Sequence, residues 1–360
     1  MTNGPDEAAR SLFDALYEGD DAVVRALRAG VSAESRDEEG TTALYLAAVQ
    51  DLPGTVRMLL AAGADPNRAS GPDAGDLPLC GAVCGGHTEV AGALLAAGAD
   101  PDLREEFGFT ALHWASDLGL AEVAGILLAH GADPDLPGPH GEPPLVVAAR
   151  RGSSRTVRTL LGHGARALSP ALDEARRMLS LDVEHEMREA LGALYGAEGH
   201  ETVVRRAPVD GGVTVTVELR REGEPFAGQE RQTGHGAVAT LLEDGLGLRA
   251  PCEELALRAL RDRDPDLDNW LVAVSALWLR GDEETFRAAA AWTADGDPLR
   301  QAFGVDVLAR LGFGTGGRPF ADRAVPLLRE VALTGGPLPA AAAGRALAGY
   351  GCVPGSEYAP

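Results

Sequence analysis

Leucine pairs punctuate the first half of the chain at close to regular intervals: Leu59-Leu60, Leu94-Leu95, Leu127-Leu128 and Leu160-Leu161, with Ala26-Leu27 in the same place further upstream. Each pair follows an apolar Val by about one helical turn, so these positions form one stripe along a short helix. A glycine comes shortly after. Gly-Ala-Asp-Pro opens at Gly63, Gly98 and Gly131, with weaker copies at Gly30 (Gly-Val-Ser-Ala) and Gly164 (Gly-Ala-Arg-Ala), giving spacings of 33, 35, 33 and 33 residues. Glycine suits the left-handed residue that ends a helix, and Pro66, Pro101 and Pro134 three positions on cannot continue one. A second block lies about twenty residues upstream of three of the tags: Thr42 to Ala47 (Thr-Ala-Leu-Tyr-Leu-Ala), Thr110 to Ala115 (Thr-Ala-Leu-His-Trp-Ala) and Pro144 to Ala148 (Pro-Leu-Val-Val-Ala). Here Thr42 or Thr110 can cap a helix whose small Ala positions allow close packing. A fixed period of this size predicts one helix-turn-helix unit stacked on copies of itself, in five units over 6–35, 36–68, 69–103, 104–136 and 137–168.

These blocks resemble the ankyrin repeat, whose Thr-Pro-Leu-His-x-Ala pattern begins the first of two antiparallel helices in a unit of about 33 residues. The third unit departs from it: Gly71 to Gly75 forms a finger with two extra residues, and Leu77-Pro78-Leu79-Cys80 puts Cys where the family has His. The first and last units match poorly, as terminal caps do. The resemblance implies that partner-touching residues lie on the finger tips and on the exposed face of the first helix. Carried over by register, these are Glu38, Glu39 and Thr41 with Val49 and Gln50; Asp73 and Asp76; Glu106, Phe107 and Phe109 with Asp117 and Leu118; and His140, Glu142, Arg150 and Arg151. The set is acidic along units two to four and turns basic only in the last, with Phe107 and Phe109 in its middle. His113 falls on the pattern's His, where the resemblance implies a hydrogen bond from the imidazole to backbone in the neighbouring finger.

After the last leucine pair the pattern stops. Leu172, Ala175, Met178, Leu179, Val183, Met187, Leu191 and Leu194 recur mostly at three- and four-residue steps and predict one helix over 170–195. Val213, Val215, Val217 and Leu219 then alternate with polar residues behind Asp210-Gly211-Gly212, which predicts a β-hairpin with a partner strand over 202–209, Pro208 at its end. From Gly236 onward the period is helical again. Asp-Pro at 264–265 and 297–298 opens segments ending at Leu279-Arg280-Gly281 and Leu311-Gly312, and amphipathic stretches follow at Glu283 to Ala294 and Phe320 to Ala332. With a final fragment from Pro337 to Tyr350, this pairing resembles HEAT-like repeats. The expected fold is mainly α: an ankyrin-repeat solenoid over 6–168, a connecting helix and β-hairpin over 169–236, a HEAT-like helical domain over 237–350 and a tail over 351–360.

Charge narrows the choice of partner. The chain has 54 acidic and 32 basic residues, a net charge of −22, and every basic residue is Arg. The absence of Lys beside abundant Ala, Gly and Arg reads as a GC-rich coding bias. The acidic balance argues against nucleic acid and anionic membranes, which need positive charge, and favours a protein or peptide with a basic surface. Four scattered cysteines, Cys80, Cys84, Cys252 and Cys352, fit a reducing compartment. The N-terminus has neither the positive flank nor the apolar core of a signal peptide, and no run of about 18 apolar residues follows, so a cytoplasmic location is expected.

Candidate chemistry is sparse. Cys80, Cys84 and His87 could face a metal, but a four-coordinate site would lack a ligand, and Gly86-His87 matches the family's Gly-His turn, so no metal and no cofactor are expected. His185 sits between Glu184 and Glu186, which point in different directions on a helix. Gly234-His235-Gly236 could offer backbone N–H groups to an anion, although no P-loop is possible without Lys. Three functions stay open: a non-catalytic interaction protein, an immunity-type or inhibitory protein masking a basic toxin or enzyme, and an enzyme with a site in the 200–236 insertion built from Glu201, Arg205, Arg206, Glu230 and His235.

Overall fold

A computed structural model describes residues 5–196, 199–209, 211–311 and 319–351. Asp210, Gly312 and Cys352, used above in reading turns, helix ends and thiols, lie outside the described residues, as does most of the expected tail. Contacts divide the chain into two compact units between Ala171 and Leu172.

The first unit contains five helix pairs: α1 (Pro5–Glu18) with α2 (Asp20–Arg28), α3 (Ala43–Val49) with α4 (Pro53–Ala61), α5 (Pro78–Cys84) with α6 (Thr88–Ala96), α7 (Ala111–Leu118) with α8 (Ala121–Ala129), and α9 (Pro144–Arg151) with α10 (Ser154–Gly162). Odd-numbered helices stack on one another in one layer and even-numbered helices in a second. The predicted caps form. Thr42 accepts a hydrogen bond from the Tyr45 N–H and Thr110 from the His113 N–H. In α5 and α9 a proline at the first turn replaces the capping hydroxyl, since its fixed φ suits that position and its missing N–H needs no partner. Gly63, Gly98 and Gly131 close their helices at φ of 94°, 93° and 95°. The first leucine of each pair (Leu59, Leu94, Leu127, Leu160) is fully buried between the layers.

A polar ladder links the units. The residue four positions after each glycine accepts a hydrogen bond from the backbone N–H two positions after the next: Glu34 from Asp65 at 2.6 Å, Asn67 from Asp100 at 2.7 Å, Asp102 from Asp133 at 3.0 Å and Asp135 from Arg166 at 2.8 Å. This repeats the spacing of the tags in three dimensions.

The second unit differs from expectation in two places. The helix predicted over 170–195 is two helices, α11 (Leu168–Leu179) and α12 (Val183–Tyr195), because Asp182 accepts from the N–H groups of Glu184 and His185 and starts a new helix. The hairpin is a three-stranded antiparallel sheet in the order β1 (Glu201–Val209), β2 (Gly212–Arg221), β3 (Glu224–Gln232). Glu222 and Gly223, at φ of 54° and 87°, make the two-residue turn into β3. The third strand is largely exposed and polar, so it carries no alternating apolar signal. Val215, Val217 and Leu219 on β2 pack against Met178, Val183, Met187 and Leu191.

Among the described residues seven helices follow: α13 (His235–Gly245), α14 (Cys252–Ala259), α15 (Asp268–Arg280), α16 (Glu283–Trp292), α17 (Pro298–Leu311), α18 (Ala321–Thr334) and α19 (Pro337–Gly349). Successive odd-numbered members touch one another, as do α14 and α16, around a core that includes Trp270, Phe286, Trp292 and Phe303. Gly304 lets α17 approach α16 closely, since a Cβ there would lie 2.7 Å from the Ala289 carbonyl oxygen. No helix among the described residues is long and apolar enough to cross a membrane.

A buried ion network joins α11, α13 and α14. Arg258, with 4 % of its side chain exposed, donates to both oxygens of Glu243 at 2.7 and 2.9 Å and to Thr240 at 3.1 Å, while Arg176 reaches Glu243 at 2.8 Å. Burial alone would raise the Glu243 carboxyl, but the hydrogen bonds and charges of Arg258 and Arg176 together hold it below its usual range. Removing one partner strands a buried charge. Arg258→Met is therefore expected to cost about 3–5 kcal/mol in urea unfolding followed by tryptophan fluorescence, and the double substitution Arg258→Met with Glu243→Leu to lie closer to wild type than the single one.

Candidate protein-binding groove

The fingers between repeats are rigidly made. In the second repeat Asp37 Oδ1 accepts from the N–H groups of Glu39 and Thr41, at 2.9 and 2.8 Å. In the fourth, Glu105 holds the same register and accepts from the Phe109 N–H at 3.2 Å. Neighbouring fingers are tied by backbone: the Gly71 N–H donates to Gly40 and the Glu106 N–H to Gly75. Arg36 spans from the Gly40 carbonyl to that of Ala69, and Arg104 repeats the motif from Gly108 to Pro137.

On this frame Glu38, Glu39, Asp73, Glu106, Phe107 and His140 are exposed on the fingers, with Val49, Gln50 and Asp117 exposed at the ends of α3 and α7. Thr41, Asp76, Leu118, Glu142 and Arg150 are half-buried. Phe109 is half-buried as well, its ring 5.1 Å from that of Trp114 and 6.3 Å from that of His140, so it braces its neighbours, whereas Phe107 is 66 % exposed. The basic end read from the last repeat does not stand as expected. Arg151 is buried, because successive helical residues point about 100° apart and Arg150 already takes the outward direction. Arg150 itself forms a two-pronged ion pair with Glu142.

The first helices of the second, third and fourth repeats frame an open groove of about 400 Å³. Of the residues carried over by register, Val49, Asp76 and Phe107 line it; so do Tyr45, Glu105 and Trp114, which that register did not include, and Cys80 and Cys84, weighed above only as metal ligands. Tyr45 and Cys80 hold one register position, but Trp114 and Cys84 hold others and Glu105 lies on the finger, so no single pattern in the sequence marks the set. Gly81 makes room for the Tyr45 ring, which a Cβ there would meet at 2.9 Å. Burial, with help from the Glu105 charge, pushes the Cys84 thiol up to about 11 and Cys80 higher still, so both remain thiols at neutral pH. His87 places Nε2 3.0 Å from the Val49 carbonyl oxygen, and no cluster of metal-ligating groups occurs among the described residues.

In the sheet region the five residues considered for chemistry are spread out. Arg205 pairs with Glu218 and Arg206 with Glu184, on opposite faces of β1; Glu201 and Glu230 are exposed; His235 is buried at the start of α13.

Residues 39–70 match the family model for the ankyrin repeat, and residues 79–170 match a model of ankyrin repeats in three copies. The N-terminal half of the chain is thus built of ankyrin repeats, a protein–protein interaction architecture that is generally non-catalytic and takes protein partners. No curated protein matches the chain.

His113 tests the wiring of this array. Its Nδ1 lies 2.8 Å from Thr110 Oγ1 and accepts from the Thr110 N–H, completing a capping box in addition to the expected approach to backbone in the next finger, where Glu142 and Leu136 act on the imidazole. Nε2 points into that finger beside Gly138. Burial lowers the imidazole's proton affinity; the backbone of Glu142 opposes this and Arg104 adds to it. The folded form therefore holds the neutral ring, and below the usual histidine value of about 6.5 the unfolded chain takes the proton first, so stability falls as pH drops. His113→Gln keeps an N3 side chain able to cap and removes the titration. The loss in melting temperature between about pH 7.5 and pH 5.5 is expected to be smaller in this variant than in wild type, as measured by circular dichroism.

Proposed function

We propose that the chain is a non-catalytic adaptor of the cytoplasm whose ankyrin fingers and groove bind a protein with a basic surface, and that the second unit is a HEAT-like repeat module offering a further surface. The observation that carries this reading is the row of exposed carboxylates Glu38, Glu39, Asp73 and Glu106 beside the exposed Phe107, in an array whose last-repeat Arg150 is paired and Arg151 buried. An apolar anchor within charge is the composition of a protein interface centre, and acidic fingers speed encounter with a basic partner. The same charge disfavours nucleic acid and anionic lipid as partners. The scattered positions of Glu201, Arg205, Arg206, Glu230 and His235 favour binding over an enzyme of the insertion.

The net charge of −22 also supports a narrower reading, an immunity-type or inhibitory protein that masks a basic toxin or enzyme. Affinity capture from native lysate is expected to recover a basic protein with the wild-type chain and to lose it, about tenfold or more, with Glu38→Ala, Glu39→Ala and Phe107→Ala combined. Recovery should also fall as salt rises from about 0.05 to 0.5 M. Capture unchanged in the triple variant removes the finger surface from the function. Assaying the captured protein's own activity, free and in complex, separates an inhibitor from an adaptor.

A further inference from the structure

We propose that the groove between the first helices of repeats two, three and four is a specific pocket for the side chain of one arginine of the protein partner, and this rests on the partner-binding reading above. Aromatic groups line it from two repeats: Tyr45 from α3, and Trp114 from α7 with Phe107 from the adjoining finger. Carboxylates line it as well, Asp76 at the base of the third finger and Glu105, which is 9 % exposed, at the base of the fourth. None of the described residues lining the groove is a cation. The arrangement thus presents apolar π faces and negative charge together in a partly dehydrated recess, with no arginine of the chain itself filling it.

Guanidinium is the group that such a recess suits best. It is planar and weakly hydrated, stacks on aromatic faces, and donates through a fork of N–H groups to carboxylates, where an ammonium would remain a strongly hydrated point charge. The aromatic faces are held in place before a ligand arrives. Phe109 backs Trp114 at 5.1 Å, and Gly81 leaves the space that the Tyr45 ring occupies. Glu105 is positioned by the hydrogen bond its Oε1 takes from the Phe109 N–H, which leaves the carboxylate's charge at the edge of the groove. The upward push on the Tyr45 hydroxyl, led by burial and then by the Asp76 charge, agrees with a negative potential across the recess. A volume of about 400 Å³ accepts one such side chain with a stretch of its backbone at the mouth.

The test uses the full chain with ¹⁵N-labelled tryptophan and three capped peptides, Gly-Arg-Gly, Gly-Lys-Gly and Gly-citrulline-Gly, citrulline being the neutral isostere of arginine. The arginine peptide is expected to shift the indole N–H resonance of Trp114, assigned by its loss in Trp114→Phe, with the lysine peptide at least about tenfold weaker and the citrulline peptide without effect. Glu105→Gln retains the oxygen that holds the finger and removes the charge, and Asp76→Asn does the same at the other carboxylate. Each is expected to weaken the arginine peptide about tenfold while leaving the melting temperature near wild type. Equal shifts from arginine and citrulline, or arginine binding unaltered in both charge variants, would overturn the pocket. So would the absence of any shift. Partner capture that still depends on Glu38, Glu39 and Phe107 under those results would leave the adaptor reading standing, whereas capture insensitive to them alongside a confirmed arginine site would overturn the finger surface alone.

Discussion

One hydrogen bond, repeated, sets the geometry of the N-terminal half: an acceptor side chain four residues beyond a turn glycine takes the backbone N–H of the following repeat. Glu34, Asn67, Asp102 and Asp135 all do so, although they differ in length and charge. The hydrophobic stripe of each helix pair drives stacking without direction, since apolar burial is indifferent to small slides. A hydrogen bond is not, because it weakens steeply as its distance and angle depart from their narrow preferred range. The leucines therefore supply cohesion and the ladder supplies register.

Register has consequences on the opposite side. With the helices locked in step, fingers meet edge to edge through Gly40 and Gly71 and through Gly75 and Glu106. The left-handed turn at Gly40 is needed there: φ is 81°, and a Cβ would lie 2.9 Å from the Gly71 carbonyl oxygen. The third repeat's two additional residues are absorbed in its own finger, where Ala74 takes a φ of 51°, and the contact to the fourth finger survives. Side chains from three repeats then converge on a common recess. Asp37 and Glu105 show how one position serves two ends: both close their finger from within, but the Glu105 carboxylate also borders the groove.

The second unit solves burial by other means. Its sheet has one apolar face, covered by α11 and α12, and its helices enclose an aromatic core in which Trp270 meets Phe303 edge to face at 5.1 Å. The Arg258, Glu243 and Arg176 network lies inside this unit and holds three helices at fixed orientation, because a charge so deep has few places where all its partners are met.

Much of this was legible in one dimension. The period of the glycine tags, the threonine caps and the leucine stripe follow from local rules of helix geometry and backbone conformation, so repeat number, helix pairs and finger positions could be placed from residues alone. The break at Asp182 and the strand over Glu224–Gln232 were missed for a common reason: a capping bond overrode an apolar period in the first, and cross-strand pairing stabilised a polar segment in the second. Exposure was decided only in three dimensions. Whether Arg150 or Arg151 faces outward, whether Phe109 is a ligand contact or a brace, and that Tyr45, Glu105 and Trp114 share one recess all depend on how neighbouring repeats rotate onto each other. That rotation is set by contacts between residues 31 or more apart, which no local pattern encodes.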